Sequence, residues 1–247
     1  MPEQTVFDVF RYLPDSEDEP RFQSYEVDYR DNWVVLDALN HIKSYIDPSL
    51  SFRWSCRMGI CGSCGMMVNG EPKLTCETFI RDYDSDSIRI EPLTYFPVVR
   101  DLVIDMEDFM EKLPTVSPWL ITDETPPEDG EYLQTPAEVA RYKRFSMCIN
   151  CMLCYSACPV YGLDPSFTGP AVLALAERYN LDSRDDGKEV RAGTVTAHEG
   201  IWECTYVGEC TQVCPKGVDP AGAIQMLKLD YALDWAKSLV LPKAAKS

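Results

Sequence analysis

The eleven cysteines of this 247-residue chain fall into three spacing groups. The first is Cys56-x4-Cys61-x2-Cys64-x11-Cys76. The second is Cys148-x2-Cys151-x2-Cys154-x3-Cys158, followed by Pro159. The third is Cys204-x5-Cys210-x3-Cys214, followed by Pro215. Thiolates at such spacings are the ligands of iron–sulfur clusters, and the three groups leave no thiol over. The chemistry indicated is electron transfer.

The first group has the C-x4-C-x2-C…C spacing of plant-type [2Fe–2S] sites. Three thiolates would lie on one loop and the fourth, Cys76, on a following strand. Gly59, Gly62 and Gly65 are expected to let this loop turn tightly and to aim N–H groups at the cluster sulfurs, which stabilises a charged centre. The alternative is a zinc site. Zinc ribbons use two C-x2-C knuckles, whereas only Cys61 and Cys64 have that spacing here. Disulfides are a second alternative for a cysteine-rich chain. The odd cysteine count, the tight C-x2-C pairs and the absence of a basic-then-apolar start over Met1–Asp8 oppose them.

The second group is the run of bacterial two-cluster ferredoxins, in which the fourth cysteine ligates the other cluster. Applied here, Cys148, Cys151 and Cys154 hold one cubane, which Cys214 completes. Cys158 crosses to the other site and joins Cys204 and Cys210. Aligned to the same template, the third run should carry a cysteine at position 207, but Val207 stands there. An aliphatic side chain cannot hold a fourth iron. The expectation is therefore [2Fe–2S], [4Fe–4S] and [3Fe–4S] centres in chain order.

The elements that must position these thiols can be read from the pattern around them. Thr5–Leu13 and Phe22–Tyr29 alternate apolar and polar residues and predict strands, with Asp15–Pro20 as the turn between them. Val34–Ile46 has helical spacing. Asn69-Gly70 marks a tight hairpin, and Ile88–Ile90 another strand. Asp101–Leu113 reads as a helix, and Pro114–Gly130 as a linker rich in Pro, Asp, Glu and Thr. Thr135-Pro136-Ala137-Glu138 is a capping box with proline in the first turn. Helices are expected over about 136–145, 169–180 and 219–238. The two Cys-Pro runs look like a diverged internal duplication. The fold class expected is α+β: a plant-type ferredoxin-like (β-grasp) domain over residues 1–105, then an all-α bacterial-ferredoxin-like domain over residues 106–247.

Bulk properties narrow the function further. With 40 acidic and 23 basic residues the formal charge is −17, which argues against nucleic acid, a partner that demands a basic footprint. No run nears the roughly 18 apolar residues of a spanning helix; Trp33-Val34-Val35-Leu36 is interrupted at Asp37. No G-x-G-x-x-G follows a strand, so no dinucleotide site is visible. His41 lies within an amphipathic helix and reads as structural, and His198 has no evident partner. Trp119, Trp202 and Tyr206 read as core or interface residues.

The stretch Phe52-Arg53-Trp54-Ser55-Cys56-Arg57-Met58-Gly59-Ile60-Cys61-Gly62-Ser63-Cys64-Gly65 closely resembles the iron–sulfur subunits of fumarate reductase and succinate dehydrogenase. Cys148-Ile149-Asn150-Cys151 and Cys210-Thr211-Gln212-Val213-Cys214-Pro215-Lys216 do so as well. The resemblance runs from about residue 5 to 238. It implies an electron-transfer subunit of a membrane-bound succinate/fumarate–quinone oxidoreductase, without catalysis by this chain alone. It implies a flavoprotein partner holding FAD and a membrane anchor with quinone, in which haem b can also reside. The place implied is peripheral, on the cytoplasmic face of the cell membrane. Leu163 and Thr205 stand where succinate dehydrogenases often carry Trp and His. These departures favour the fumarate reductase branch and menaquinone, with succinate oxidation as the alternative direction. Lys228 matches a lysine of that branch near the quinone.

Overall fold

Alternating residues build the first sheet. β1, Gln4–Arg11, and β2, Arg21–Asp28, run antiparallel and bury Phe7, Val9, Tyr25 and Val27 on one face. β3, Gly65–Val68, and β4, Glu71–Leu74, form a hairpin. Asn69 and Gly70 close it at φ 49 and 81, the left-handed pair that a two-residue hairpin turn requires. β5, Ser87–Glu91, lies parallel to β1 and antiparallel to β3, so the sheet order is β2-β1-β5-β3-β4. One helix, α1 (Val35–His41), continues as a π turn over Ile42–Ile46. Its buried Val35, Ala38, Leu39 and Ile42 share a core with Ile88 and Ile90 of β5. This is the plant-type ferredoxin-like β-grasp arrangement, α+β in class. The structure, a computed structural model, describes residues 4–14, 19–83, 87–122 and 130–240. Asp15–Asp18 of the anticipated turn and residues 123–129 of the anticipated linker lie outside the described residues.

The helix expected over Asp101–Leu113 starts later. β6, Val98–Arg100, and β7, Val103–Ile104, form a small ribbon. Asp101 between them has φ 46 and is fully buried. Its carboxylate accepts from Arg11 Nε at 3.0 Å, from the Tyr12 N–H at 3.1 Å and from the Ser51 N–H at 2.8 Å. These tertiary partners override the local helical period. Helix α2 begins only at Glu107, where the Asp105 side chain accepts the Glu107 N–H, and runs over Glu107–Lys112.

The remaining helices are α3 (Pro136–Tyr142), α4 (Leu153–Ser156), α5 (Pro159–Leu163), α6 (Pro170–Asn180), α7 (Lys188–Val195), α8 (Glu209–Gln212) and α9 (Pro220–Val240). The α3 capping box forms as the sequence predicts, with the Thr135 hydroxyl and the Glu138 carboxylate exchanging partners. Buried Val172, Leu173 and Ala176 of α6 and Ala223, Ile224 and Leu227 of α9 form the centre of this helical part, in which α6 packs on α9. Arg191 of α7 is buried and pairs with Asp185 at 2.6 Å. It also donates to the carbonyls of Val116, Ser117 and Trp119, so the first part of the expected linker is held against α7.

By packing, Met1–Asp108, Ile149–Ala157 and Gln212–Lys216 make one compact unit. Phe109–Cys148, Cys158–Thr211 and Gly217–Ser247 make the other. The chain thus returns twice to its first unit, each time with a cysteine loop.

Candidate iron–sulfur sites

The first thiol set hangs on the loop between Ser51 and β3. Cys64 directly precedes β3, and Cys76 follows β4. The loop folds over its own sulfurs. The Met58, Ile60 and Cys61 N–H groups reach Cys56 Sγ at 3.3–3.5 Å, the Cys56 N–H reaches Cys61 Sγ at 3.5 Å, and the Gly59 N–H reaches Cys76 Sγ at 3.3 Å. N–H groups aimed at sulfur stabilise thiolate and cluster charge. Of the three glycines, Gly59 and Gly62 have positive φ, as expected of turn residues. Gly65 does not; it opens β3 and its bare Cα admits Leu153 and the Cys151 carbonyl.

Electrostatics distinguish these thiols. The backbone N–H of Cys56 pulls Cys61 down to about 6. Burial, then the neighbouring Cys64 thiol, pushes Cys76 up to about 12. Thiols crowded this way resist joint ionisation unless a cation sits among them. The donor set therefore suits a metal cluster that displaces the protons on binding.

Cys151, Cys154 and Cys214 lie on the two segments that return to the first unit. Met152, at φ 64, turns the chain into α4. Thr94 and Ser156 exchange hydrogen bonds to each other's carbonyls at 2.9 and 3.2 Å and so fix α4 in place. Leu153, Val213 and Pro215 line one cavity, which puts the two segments side by side. The remaining expected cubane ligand, Cys148, belongs to the second unit.

Cys158, Cys204 and Cys210 line a single cavity together with Val207, Ala221 and Ile224. The Tyr161 N–H reaches Cys158 Sγ at 3.5 Å. Burial, then the charges of Cys158 and Cys204, pushes Cys210 up to about 12, the same crowding of thiols as at the first site. Cys214 is not among the lining residues. Val207 is half exposed on the loop between Cys204 and Cys210. The three-thiol cavity fits a cluster with three protein ligands.

None of the eleven cysteines is in a disulfide. Among the described residues, no three His, Cys, Asp or Glu side chains converge tightly enough for one metal ion. Thiolates around a multi-iron cluster need no such convergence, because they are shared out over several irons.

Other residues singled out by sequence have ordinary surroundings. The His41 ring lies between Trp33 and Tyr45, at centroid distances of 5.5 and 5.0 Å. His198 is exposed, and its Nδ1 stands 3.3 Å from a Glu203 carboxylate oxygen. Trp119, Trp202 and Tyr206 are all about half exposed. Leu163 is exposed, and Thr205 lines the cavity of the third set. Lys228 is half buried and donates to the Cys204 carbonyl, a contact with no sequence signature.

A β-grasp unit with a four-thiol loop, joined to a helical unit with ferredoxin-type cysteine runs, defines an iron–sulfur protein. Residues 6–111 match the family described as 2Fe-2S iron-sulfur cluster binding domain, and residues 144–218 match the 4Fe-4S dicluster domain. The fumarate reductase iron-sulfur subunit of Mycobacterium tuberculosis is 60% identical over 243 residues, 98% of each chain. A mitochondrial succinate dehydrogenase [ubiquinone] iron-sulfur subunit 1 of Oryza sativa subsp. japonica is 40% identical over 227 residues, 90% of this chain and 80% of that one. A chain of the Mycobacterium smegmatis Sdh1 complex in the apo form superposes with a TM-score of 0.82 at 28% identity, covering 99% of this chain and 100% of that chain. The chain belongs to the iron–sulfur subunits of the fumarate reductase and succinate dehydrogenase family, and is thus a subunit of an oxidoreductase.

Proposed function

We propose that this chain carries electrons between the FAD of a flavoprotein subunit and a quinone in a membrane anchor, in a fumarate reductase-type enzyme. Cys56, Cys61, Cys64 and Cys76 would hold [2Fe–2S]. Cys148, Cys151, Cys154 and Cys214 would hold [4Fe–4S], and Cys158, Cys204 and Cys210 would hold [3Fe–4S]. In covalent order the domains divide after residue 105. The observation that carries the reading is the separation of the last cysteines. Cys158 shares a cavity with Cys204 and Cys210, while Cys214 lies with Cys151 and Cys154 in the other unit. This separation supports the crossing that two-cluster ferredoxin runs require.

Bound clusters supply one-electron redox chemistry; the protein's share is to hold, shield and tune them. Apolar side chains on α9, Met226, Leu229 and Leu233, are exposed at three- and four-residue spacing and form a stripe suited to an anchor subunit. No helix among the described residues is long and apolar enough to cross a membrane, so peripheral attachment to the cytoplasmic face by such an anchor is part of the proposal. Menaquinone is favoured by Leu163 and Thr205, and haem b would belong to the anchor. The name of the rice relative supports the alternative direction, succinate oxidation.

The test is purification of the chain from membranes, followed by metal analysis and low-temperature EPR. Co-purification with a flavoprotein and membrane subunits, with an oxidised three-iron signal, is the expected result. Zinc in place of iron, or a chain that purifies alone as a soluble carrier, overturns the proposal.

A further inference from the structure

The turn after β4 brings Glu77 back onto the first cysteine loop. The Glu77 N–H reaches the Leu74 carbonyl at 3.0 Å, and the Thr78 hydroxyl donates to the same carbonyl at 2.9 Å, so the backbone of this turn is fixed. Its carboxylate covers Gly59: a Cβ on Gly59 would run into it. Gly59 is the residue whose N–H reaches Cys76 Sγ at 3.3 Å. The same carboxylate stands 3.4 Å from Lys216 Nζ. Lys216 lies two residues after Cys214 and ends the short segment, Gln212–Lys216, that belongs to the first unit. Val213 and Pro215 of this segment line a cavity with Leu74, Glu77 and Thr78. One carboxylate therefore touches the loop of the first thiol set and the segment that carries Cys214.

We propose that Glu77 and Lys216 are positioning residues for the cluster held by Cys56, Cys61, Cys64 and Cys76. Their ion pair holds the Gly59 turn closed over Cys76 and ties it to the segment of Cys214. The inference rests on the ligand assignment proposed above. The Glu77 side chain is 41% exposed and that of Lys216 only 17%. A pair so open on one side adds little to global stability. Its effect is local, on how often the cysteine loop opens. The Lys216 charge is mostly covered and is screened less than that of a lysine in solvent. Charge near a cluster also sets its potential, because reduction adds one electron and no compensating charge. Loss of the Glu77 charge therefore raises the potential of the first cluster. Loss of Lys216 leaves that charge uncompensated and lowers it.

The experiment compares purified complexes of wild type, Glu77→Gln, Lys216→Gln, the double variant and Lys216→Arg. Two quantities are read: the rate at which a chelator bleaches the two-iron absorbance well below the melting transition, and the midpoint of the two-iron EPR signal. Each single Gln variant is expected to bleach about two- to fivefold faster, the size of a partly screened ion pair. The double variant is expected to bleach no faster than the quicker single one, because both changes remove one contact. The midpoint is expected to rise in Glu77→Gln and to fall in Lys216→Gln, whereas Lys216→Arg keeps both wild-type values. Additive effects on bleaching, unchanged rates in both single variants, or midpoints that shift in the same direction overturn the proposal. If the wild-type complex shows no two-iron signal, the assignment of the first cluster fails, and this inference fails with it for that separate reason.

Discussion

Gly62 and Cys151 approach so closely that no side chain fits between them. A Cβ on Gly62 would stand 2.8 Å from the Cys151 Cβ and 3.2 Å from the Ile149 carbonyl. One residue is in the first cysteine loop and the other in the second. The bare Cα therefore sets how near the two thiol sets come, and electron transfer depends on that closeness.

Gly62→Ala is accordingly expected to cost more than its backbone strain. Its φ of +72 alone penalises a Cβ by about 1–2 kcal/mol, and the collision adds roughly 1–3 kcal/mol. Gly70→Ala is the control. It has a similar φ of +81 but meets nothing within 4 Å, so only the first cost applies. Thermal midpoints of the two variants, with iron content, check this. Equal destabilisation in both would show that the contact with Cys151 carries no weight.

Val207→Cys returns a thiol to the corner that the third run lacks. The half-exposed position tolerates the change, since cysteine is no larger than valine. The variant is expected to accept a fourth iron, to lose the oxidised three-iron EPR signal and to titrate at a lower potential. An undiminished three-iron signal would break the crossing assignment of Cys158 and Cys214.

Glu177 provides a pH-dependent prediction. It is fully buried on α6, and neither carboxylate oxygen has a hydrogen-bond partner. Burial, then Asp230 of α9, pushes its carboxyl up to about 8, against the pull of Lys188 on α7 and Arg141 on α3. The folded state therefore holds a proton that the unfolded chain releases near 4.5. Stability from this group is complete below that pH and is lost as pH rises towards 8. At 1.36 kcal/mol per unit the loss is on the order of 3–5 kcal/mol. Glu177→Gln removes the titration, so the variant should gain on wild type steadily between pH 5 and pH 8. Thermal midpoints across that range check it, and a difference that stays constant with pH rejects it.

How much of this was legible in the sequence depends on whether a feature is local. The strands show because Phe7 and Val9 alternate with polar residues, and the hairpin shows because Asn69-Gly70 accepts left-handed backbone. The thiol spacings expose the cluster loops for the same reason. Helix α7 is not legible, because one of its buried residues is an arginine, and apolar periodicity cannot detect a guanidinium that is solvated by carbonyls and Asp185. The false start of a helix at Asp101 has a similar origin: its carboxylate is bound by residues ninety and fifty positions away. Lys228 reads as a quinone or surface residue until the Cys204 carbonyl is seen beside it.

The Asp101 cluster yields the last prediction. Arg11 and Asp101 are buried together at 3.0 Å. Burial works against the Arg11 charge, but hydrogen bonds to Asp101 and Asp47 hold it protonated. Asp101 also takes the Ser51 N–H at 2.8 Å, five residues before Cys56. Removing one partner of a buried pair strands the other charge and costs roughly 3–5 kcal/mol. Asp101→Ala should therefore destabilise the first unit by about that amount, and it should also free the start of the cluster loop. The second effect separates this site from a general stability defect. Chelator-driven bleaching of the two-iron absorbance, measured well below the melting transition, should accelerate in Asp101→Ala. Arg11→Met should lower the melting point comparably, yet accelerate bleaching less, because Asp101 still holds Ser51. If the two variants bleach alike, the Ser51 tether contributes nothing beyond the ion pair.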